Sequence, residues 1–241
     1  VFWHGDVGTY ARCLPDVVYR SGGVRAIKKR DQLGMLLSEK GFETGAEVGV
    51  QQGWNAKSIL TAWKGCKSFL LIDLWSKQED GHYRDYANDL NHEGNYQQAM
   101  SNVIRWKNIT SVYRMKSVDA AKLIPDYSLD FVYLDARHDY CAVSEDLEHY
   151  WPKLRPGGIL AGHDYLSQHE MPDPQDWSVC ENGVKEARAV RGAVDDFAMK
   201  HGLTISVTYD DPGNRAYQSW FVQKQTIPEC VVRSEQQNFH R

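Results

Sequence analysis

Cysteine is scarce and scattered. The five residues stand at 13, 66, 141, 180 and 230, odd in number and without a C-x-x-C pair. That spacing argues against a zinc knuckle and a disulfide framework, and we expect reduced thiols in a cytoplasmic compartment. Long apolar runs are missing as well: none reaches the roughly 20 residues needed to cross a bilayer, so no membrane partner is expected, and no signal-peptide pattern is visible. The chain opens on Val1 rather than Met, which leaves a preceding native segment and its targeting open. There is no excess of positive charge. Lys and Arg number 28 against 32 Asp and Glu, a net charge of −4. Phosphate binding needs a basic face, so a nucleic-acid partner is not expected. The short basic run "RAIKKR" at 25–30 reads as a solvated helix start. Internal repeats and low-complexity linkers are absent too, which excludes a solenoid.

What is present fits one α/β domain. The chain has 241 residues and 42% are hydrophobic, enough for a sizeable core; eight Trp and thirteen Tyr can fill that core or line a pocket. Apolar strand patterns alternate with helical ones. "GAEVGV" (45–50), "SFLLID" (68–73), "SVYRM" (111–115), "LDFVYLD" (129–135) and "PGGILAGHD" (156–164) read as strands. Helices are expected over 26–41, 54–63, 97–106, 117–124, 140–151 and 184–202. "LTISVTY" and "YQSWFVQ" flank "DDPGNRA" as a hairpin, and a polar tail follows from Pro228. The order is βα repeated five times and then an antiparallel pair. This predicts a doubly wound, mostly parallel α/β sheet, preceded by an N-terminal helical extension over 1–40. Two connections, 74–96 and 165–182, are long enough to be substrate loops.

In such a sheet ligands gather at the C-terminal strand ends. Three strands end there in an acid: Asp73, Asp135 and Asp164. The first strand runs into a turn with Gly49 and Gly53, preceded by Glu47. Glycine lets a backbone approach a ligand closely, and an acid about twenty residues on suits ribose hydroxyls. On these residues alone NAD stays open. The spacing is nevertheless not G-x-G-x-x-G, and Gln51 with Gln52 would crowd a phosphate, which favours an adenosine without phosphates.

The set Glu47-x-Gly49-x-x-x-Gly53, "LLIDLWS" and "DFVYLDARHDY…DLEHYWPKLRPGGILAGHDY" resembles the class I S-adenosylmethionine (SAM)-dependent methyltransferases, over roughly residues 40–224. It is most similar to the small-molecule branch holding metal-assisted macrolide-sugar O-methyltransferases and cephalosporin-hydroxylase-like proteins. The resemblance implies a Rossmann-like fold of seven strands with the last antiparallel. It implies that Glu47, Gly49 and Gly53 meet the methionine end of the cofactor and that Asp73 holds the ribose. Ser117 would sit near the adenine, Trp75 over the ring face, and Asp135 at the cofactor's reactive end. Homo-oligomers are expected by analogy alone.

Methyl transfer to a hydroxyl needs alignment and a proton acceptor. Asp135 with His138, and His163 with Asp164, end neighbouring predicted strands. His138 or His163 is therefore a candidate base. Asp135, His163 and Asp164 are the candidate ligands of a divalent metal, Mg or Mn. Asp139 and Tyr140 read as structural, and His82, His92 and His169 as surface residues in the long connections. Tyr83, Tyr86, Tyr96 and Trp177 are candidates for contact with a small-molecule acceptor. Two other classes remain at this point: an NAD-dependent oxidoreductase, and a cofactor-binding module without chemistry.

Overall fold

The computed structural model describes residues 23–79, 81–82, 85–171, 174–210 and 217–225. The hairpin turn, the polar tail, Cys13, Cys230, Tyr83 and the side chain of Tyr86 lie outside the described residues.

Seven strands form one sheet: β1 (Thr44–Val48), β2 (Ser68–Asp73), β3 (Thr110–Arg114), β4 (Leu129–Leu134), β5 (Leu154–Gly162), β6 (Ser206–Val207) and β7 (Trp220–Gln223). Their order is β3-β2-β1-β4-β5-β7-β6. The first five are parallel, and β7 runs antiparallel to both β5 and β6. The predicted strands at the C-terminal hairpin are much longer than the observed ones.

Alternation explains the layers. Ala46, Val48, Ile72, Val132 and Leu134 face one side of the sheet, against α4 (Ser117–Leu123), α5 (Tyr140–Tyr150) and α6 (Ala189–His201). Phe69, Leu71, Phe131 and Tyr133 face the other, against α1 (Leu33–Glu39), α2 (Trp54–Ala62) and α3 (His92–Val103). A strand covered on both faces needs an unbroken apolar run, and β4 is buried at all six positions. Each large apolar side chain so buried contributes roughly 1.5–3 kcal/mol.

Helix ends follow local chemistry. The Asp139 carboxylate accepts from Ala142 N–H at the start of α5, 3.1 Å away, so Asp139 caps that helix and His138 does not. Asn91 starts α3 in the same way inside the expected 74–96 loop, which is therefore shorter than anticipated. Gly202, at φ +61°, closes α6 as expected. Among the described residues the first helical region begins at Arg30, as a single 3-10 turn, and residues 23–29 run without helix. α6 begins at Ala189 rather than 184, because Lys185 pairs with Val179 in a β-bridge that holds the preceding connection.

One expectation is overturned. Cys141 and Cys180 form a disulfide, with Cα atoms 5.6 Å apart at a sequence separation of 39. The pair joins the first turn of α5 to the second long connection. No C-x-x-C spacing announces it, because tertiary structure brings the two together. It removes the ground for expecting reduced thiols. No described helix is long and apolar enough to cross a membrane.

Candidate active site

Strand order reverses between β1 and β4, and a cavity of about 710 Å³ opens at the C-terminal strand ends beside that point. Its first half is built around the glycine turn. Gly49 has φ +88°, and a Cβ there would lie 1.9 Å from the Asp135 carbonyl oxygen. The glycine is required because the ends of β1 and β4 touch. Gly53, at φ +73°, precedes α2 and would bring a Cβ to 3.0 Å from the Ala99 Cα. It seats α2 on α3 and does not line the cavity, whereas Gly49 does.

Asp73 clamps the same turn. One carboxylate oxygen accepts from the N–H groups of Val50 and Gln51, each at 2.8 Å. The other accepts from Trp75 N–H at 2.7 Å and keeps one lone pair for a ligand. Trp75 is buried; its indole donates to the Gln51 carbonyl at 2.7 Å and its ring meets Tyr96 edge-on. Tyr96 thus packs behind the turn.

Glu47 points into this half from the centre of the sheet. Asn55 of α2 donates to its Oε1 at 2.8 Å, while Oε2 is buried without a partner. Burial pushes its carboxyl up to about 8. Ser117, the first residue of α4, lines the far end of the cavity and hydrogen-bonds Asp146. Asp146 is also buried, with Oδ1 unpartnered, and burial pushes its carboxyl up to about 7.

The second half lies over β4 and β5. Asp135 and His138 follow β4, and His163 and Asp164 follow β5. His138 Nε2 is 3.0 Å from Asp164 Oδ2 and 3.5 Å from Asp135 Oδ1. His163 Nδ1 is 2.8 Å from Asp164 Oδ1 and 3.9 Å from Asp135 Oδ2. All four expected residues therefore meet. Asp164 adopts φ +56°, an uncommon conformation for a non-glycine residue. Burial alone would raise its pKa, but His163 and His138 outweigh that and hold it well below the usual carboxylate range. Asp135, His138 and Asp164 present ligand atoms within 4.8 Å of one another. That group differs from the expected metal set in having His138 in place of His163.

Three residues here went unforeseen. Asp85, from the first connection, accepts from His138 Nδ1 at 2.8 Å and from the Trp177 indole N–H at 2.9 Å, both through Oδ2. Arg30 belongs to the run expected to be a solvated helix start. Instead it is partly buried in the cavity wall, with Nη1 3.5 Å from Asp135 Oδ2, and it hydrogen-bonds Tyr133. Burial would lower its pKa, but Tyr133, Asp135 and Glu47 raise it. Arg137 pairs with Asp139 and donates to Gln78 at 3.2 Å. Of the acceptor candidates, Trp177 stacks on His138 with ring centroids 4.4 Å apart. His92 lines the cavity with Nε2 3.1 Å from the Asn88 carbonyl.

Comparison with known proteins agrees with this geometry. Residues 46–165 match a family described as "Methyltransferase domain". A curated protein of Sinorhizobium fredii, described as "Uncharacterized protein y4gI", is 28% identical over 133 residues, which are 55% of this chain and 13% of that protein. Among solved structures, the O-methyltransferase TomG of Streptomyces achromogenes, in complex with SAM, aligns with a TM-score of 0.56 and 14% identity. The alignment covers 82% of this chain and 79% of TomG. An O-methyltransferase of Bacillus cereus in complex with SAH aligns with a TM-score of 0.54 and 17% identity, covering 81% and 80%. An O-methyltransferase family protein of Burkholderia thailandensis aligns with a TM-score of 0.55 and 14% identity, covering 82% of this chain and 55% of its own. At these identities the solved structures establish the shared fold.

Proposed function

We propose that this class I SAM-dependent methyltransferase methylates a hydroxyl oxygen of a small molecule. The observation that carries the reading is the meeting of Asp135, His138, His163 and Asp164 at one end of the cavity whose other end starts at Glu47 and Asp73. The methyltransferase domain match removes the main support for an NAD-dependent oxidoreductase.

The residues fit the cofactor. Glu47 Oε2 is a buried carboxylate oxygen with no partner, as a site for the ammonium of the cofactor's methionine requires. Asp73 would offer its remaining lone pair to the ribose, and the cleft beside Ser117 would take the adenine. When bound, the cofactor would supply an activated methyl group for an in-line displacement. The residues after β4 and β5 align the acceptor hydroxyl and take up its proton. His163 or His138 serves as the base, with Asp164 between the two imidazoles. Base catalysis contributes about 10²–10⁴ in rate.

Two carboxylates and an imidazole also suit a divalent cation such as Mn²⁺ or Mg²⁺. Held by Asp135, His138 and Asp164, it would lower the acceptor's pKa and fix its orientation. Trp177, Asp85 and Arg30 form the wall the acceptor meets.

The direct test is calorimetric titration with S-adenosylhomocysteine and with NAD⁺, each with Mn²⁺, Mg²⁺ or chelator. We expect micromolar binding of S-adenosylhomocysteine and none of NAD⁺. Binding of NAD⁺ in its place would overturn the reading.

A further inference from the structure

Asp85 lies in neither strand-end motif, yet it is among the most thoroughly engaged side chains in the cavity. It sits in the first long connection, just before the 3-10 turn Tyr86–Asp89, and is 3% exposed although a connection is usually solvated. Its Oδ1 accepts from Ala87 N–H at 2.8 Å, which caps that turn. Its Oδ2 takes two further donors, from residues distant in the chain: His138 Nδ1 at 2.8 Å and Trp177 Nε1 at 2.9 Å. Trp177 comes from the second connection and stacks on the same imidazole at an interplanar angle of 26°. His138 is thus held in its plane by Asp85 and covered on one face by Trp177, while its Nε2 looks toward Asp135 and Asp164.

A carboxylate accepts, so the contact at 2.8 Å places a proton on Nδ1, while the Asp164 carboxylate 3.0 Å from Nε2 accepts there by the same rule until a cation or an acceptor takes its place. That fixes which imidazole nitrogen is directed at the reacting centre. The arrangement has the chemistry of an outer carboxylate that orients a working histidine, whether the histidine holds a cation or takes a proton.

We propose that Asp85 is a positioning residue for methyl transfer: it fixes the ring and tautomer of His138, and through Trp177 it locks the two acceptor connections against each other over Asp135 and Asp164. The proposal rests on the reading of His138 as a working residue of the site.

The test compares Asp85→Ala and Asp85→Asn with the wild type. An asparagine can keep its carbonyl oxygen toward His138 and Trp177 while giving up the Ala87 cap; an alanine gives up both. Three readouts need no acceptor: the ¹⁵N shifts of the His138 ring, affinity for Mn²⁺ alone, and affinity for S-adenosylhomocysteine. In Asp85→Ala we expect the Nδ1–H tautomer of His138 to be lost and Mn²⁺ affinity to fall about 10–100-fold. Asp85→Asn should restore most of both, with S-adenosylhomocysteine affinity within about twofold throughout. Unchanged His138 shifts in Asp85→Ala would overturn the proposal. So would an asparagine variant as impaired as the alanine one, since that is the behaviour of a loop cap. If the wild type binds no Mn²⁺, the ring shifts alone decide. If it binds no S-adenosylhomocysteine, the cofactor reading fails while the ring shifts still judge Asp85.

Discussion

The two halves of the cavity are held together in opposite ways. Around the glycine turn the anchors are main-chain groups within a few residues of strand ends: Val50, Gln51 and Trp75 N–H on Asp73, and the Gln51 carbonyl under Trp75. Over β4 and β5 the anchors are side chains far apart in sequence. Asp85 and His138 are separated by 53 residues, Trp177 and Asp85 by 92, and Cys141 and Cys180 by 39. The first half follows from building the sheet. The second is assembled by connections, so the acceptor pocket can be respecified without disturbing the frame that holds the cofactor.

The strongest challenge to that contrast is Gly49→Ala. Its Cβ would collide with the backbone of Asp135 and Ala136, just past β4, at a left-handed φ, with no flexible atom to give way. We expect a loss of about 4 kcal/mol in chemical denaturation, which puts it among the severe substitutions. A mild effect would mean that the frame yields where the contrast says it is rigid.

Next comes the disulfide. Replacing Cys141 and Cys180 together by serine should cost about 3 kcal/mol. The expected loss appears as a lower Tm that reducing agent no longer changes. S-adenosylhomocysteine affinity should fall less than stability, because Asp73 and the glycine turn lie away from the staple.

Asp164→Ala removes the carboxylate between two imidazoles. We expect Mn²⁺ affinity to drop about 100-fold, or 2.7 kcal/mol, with the cofactor site intact. Equal loss of S-adenosylhomocysteine binding would show that the halves are coupled.

Taken per pH unit, the smallest effect belongs to Glu47. Glu47 keeps its proton to about 8 in the folded chain and releases it near 4.5 when unfolded. Between those values the unfolded state binds fewer protons. The contribution is therefore fully present below pH 4.5 and lost as pH rises through 8, at a slope on the order of 1 kcal/mol per pH unit. Glu47→Gln should flatten that slope in urea titrations. Binding of the cofactor's ammonium to wild type near pH 7 should release protons, seen as a dependence of calorimetric heat on buffer.

The same contrast explains what the sequence discloses. Buried parallel strands must be continuous apolar runs, so the boundaries of β2 and the acids ending β2, β4 and β5 were readable directly. The meeting of Asp135, His138, His163 and Asp164 followed from strand adjacency. Asp85 was not readable, because an aspartate in a polar connection carries no periodicity and its partners lie 53 and 92 residues away. Arg30 was lost among neighbouring basic residues for the same reason. Gly49 was read as letting the backbone approach a ligand, and it does line the cavity; the close approach of the Asp135 carbonyl, just past β4, was not readable.

The place of β7 bears on how the chain folds. It is the last of the described strands, yet it lies between β5 and β6, and Ser206 in β6 donates to the Val24 carbonyl at 2.6 Å across 182 residues. During synthesis the edge of β5 stays open until Trp220–Gln223 emerges, and an open edge pairs readily with other chains. Such distant contacts pay their loop-closure entropy late and slow the search. The outer part of the sheet therefore depends on a strand of four residues that pairs with β5 on one side and β6 on the other.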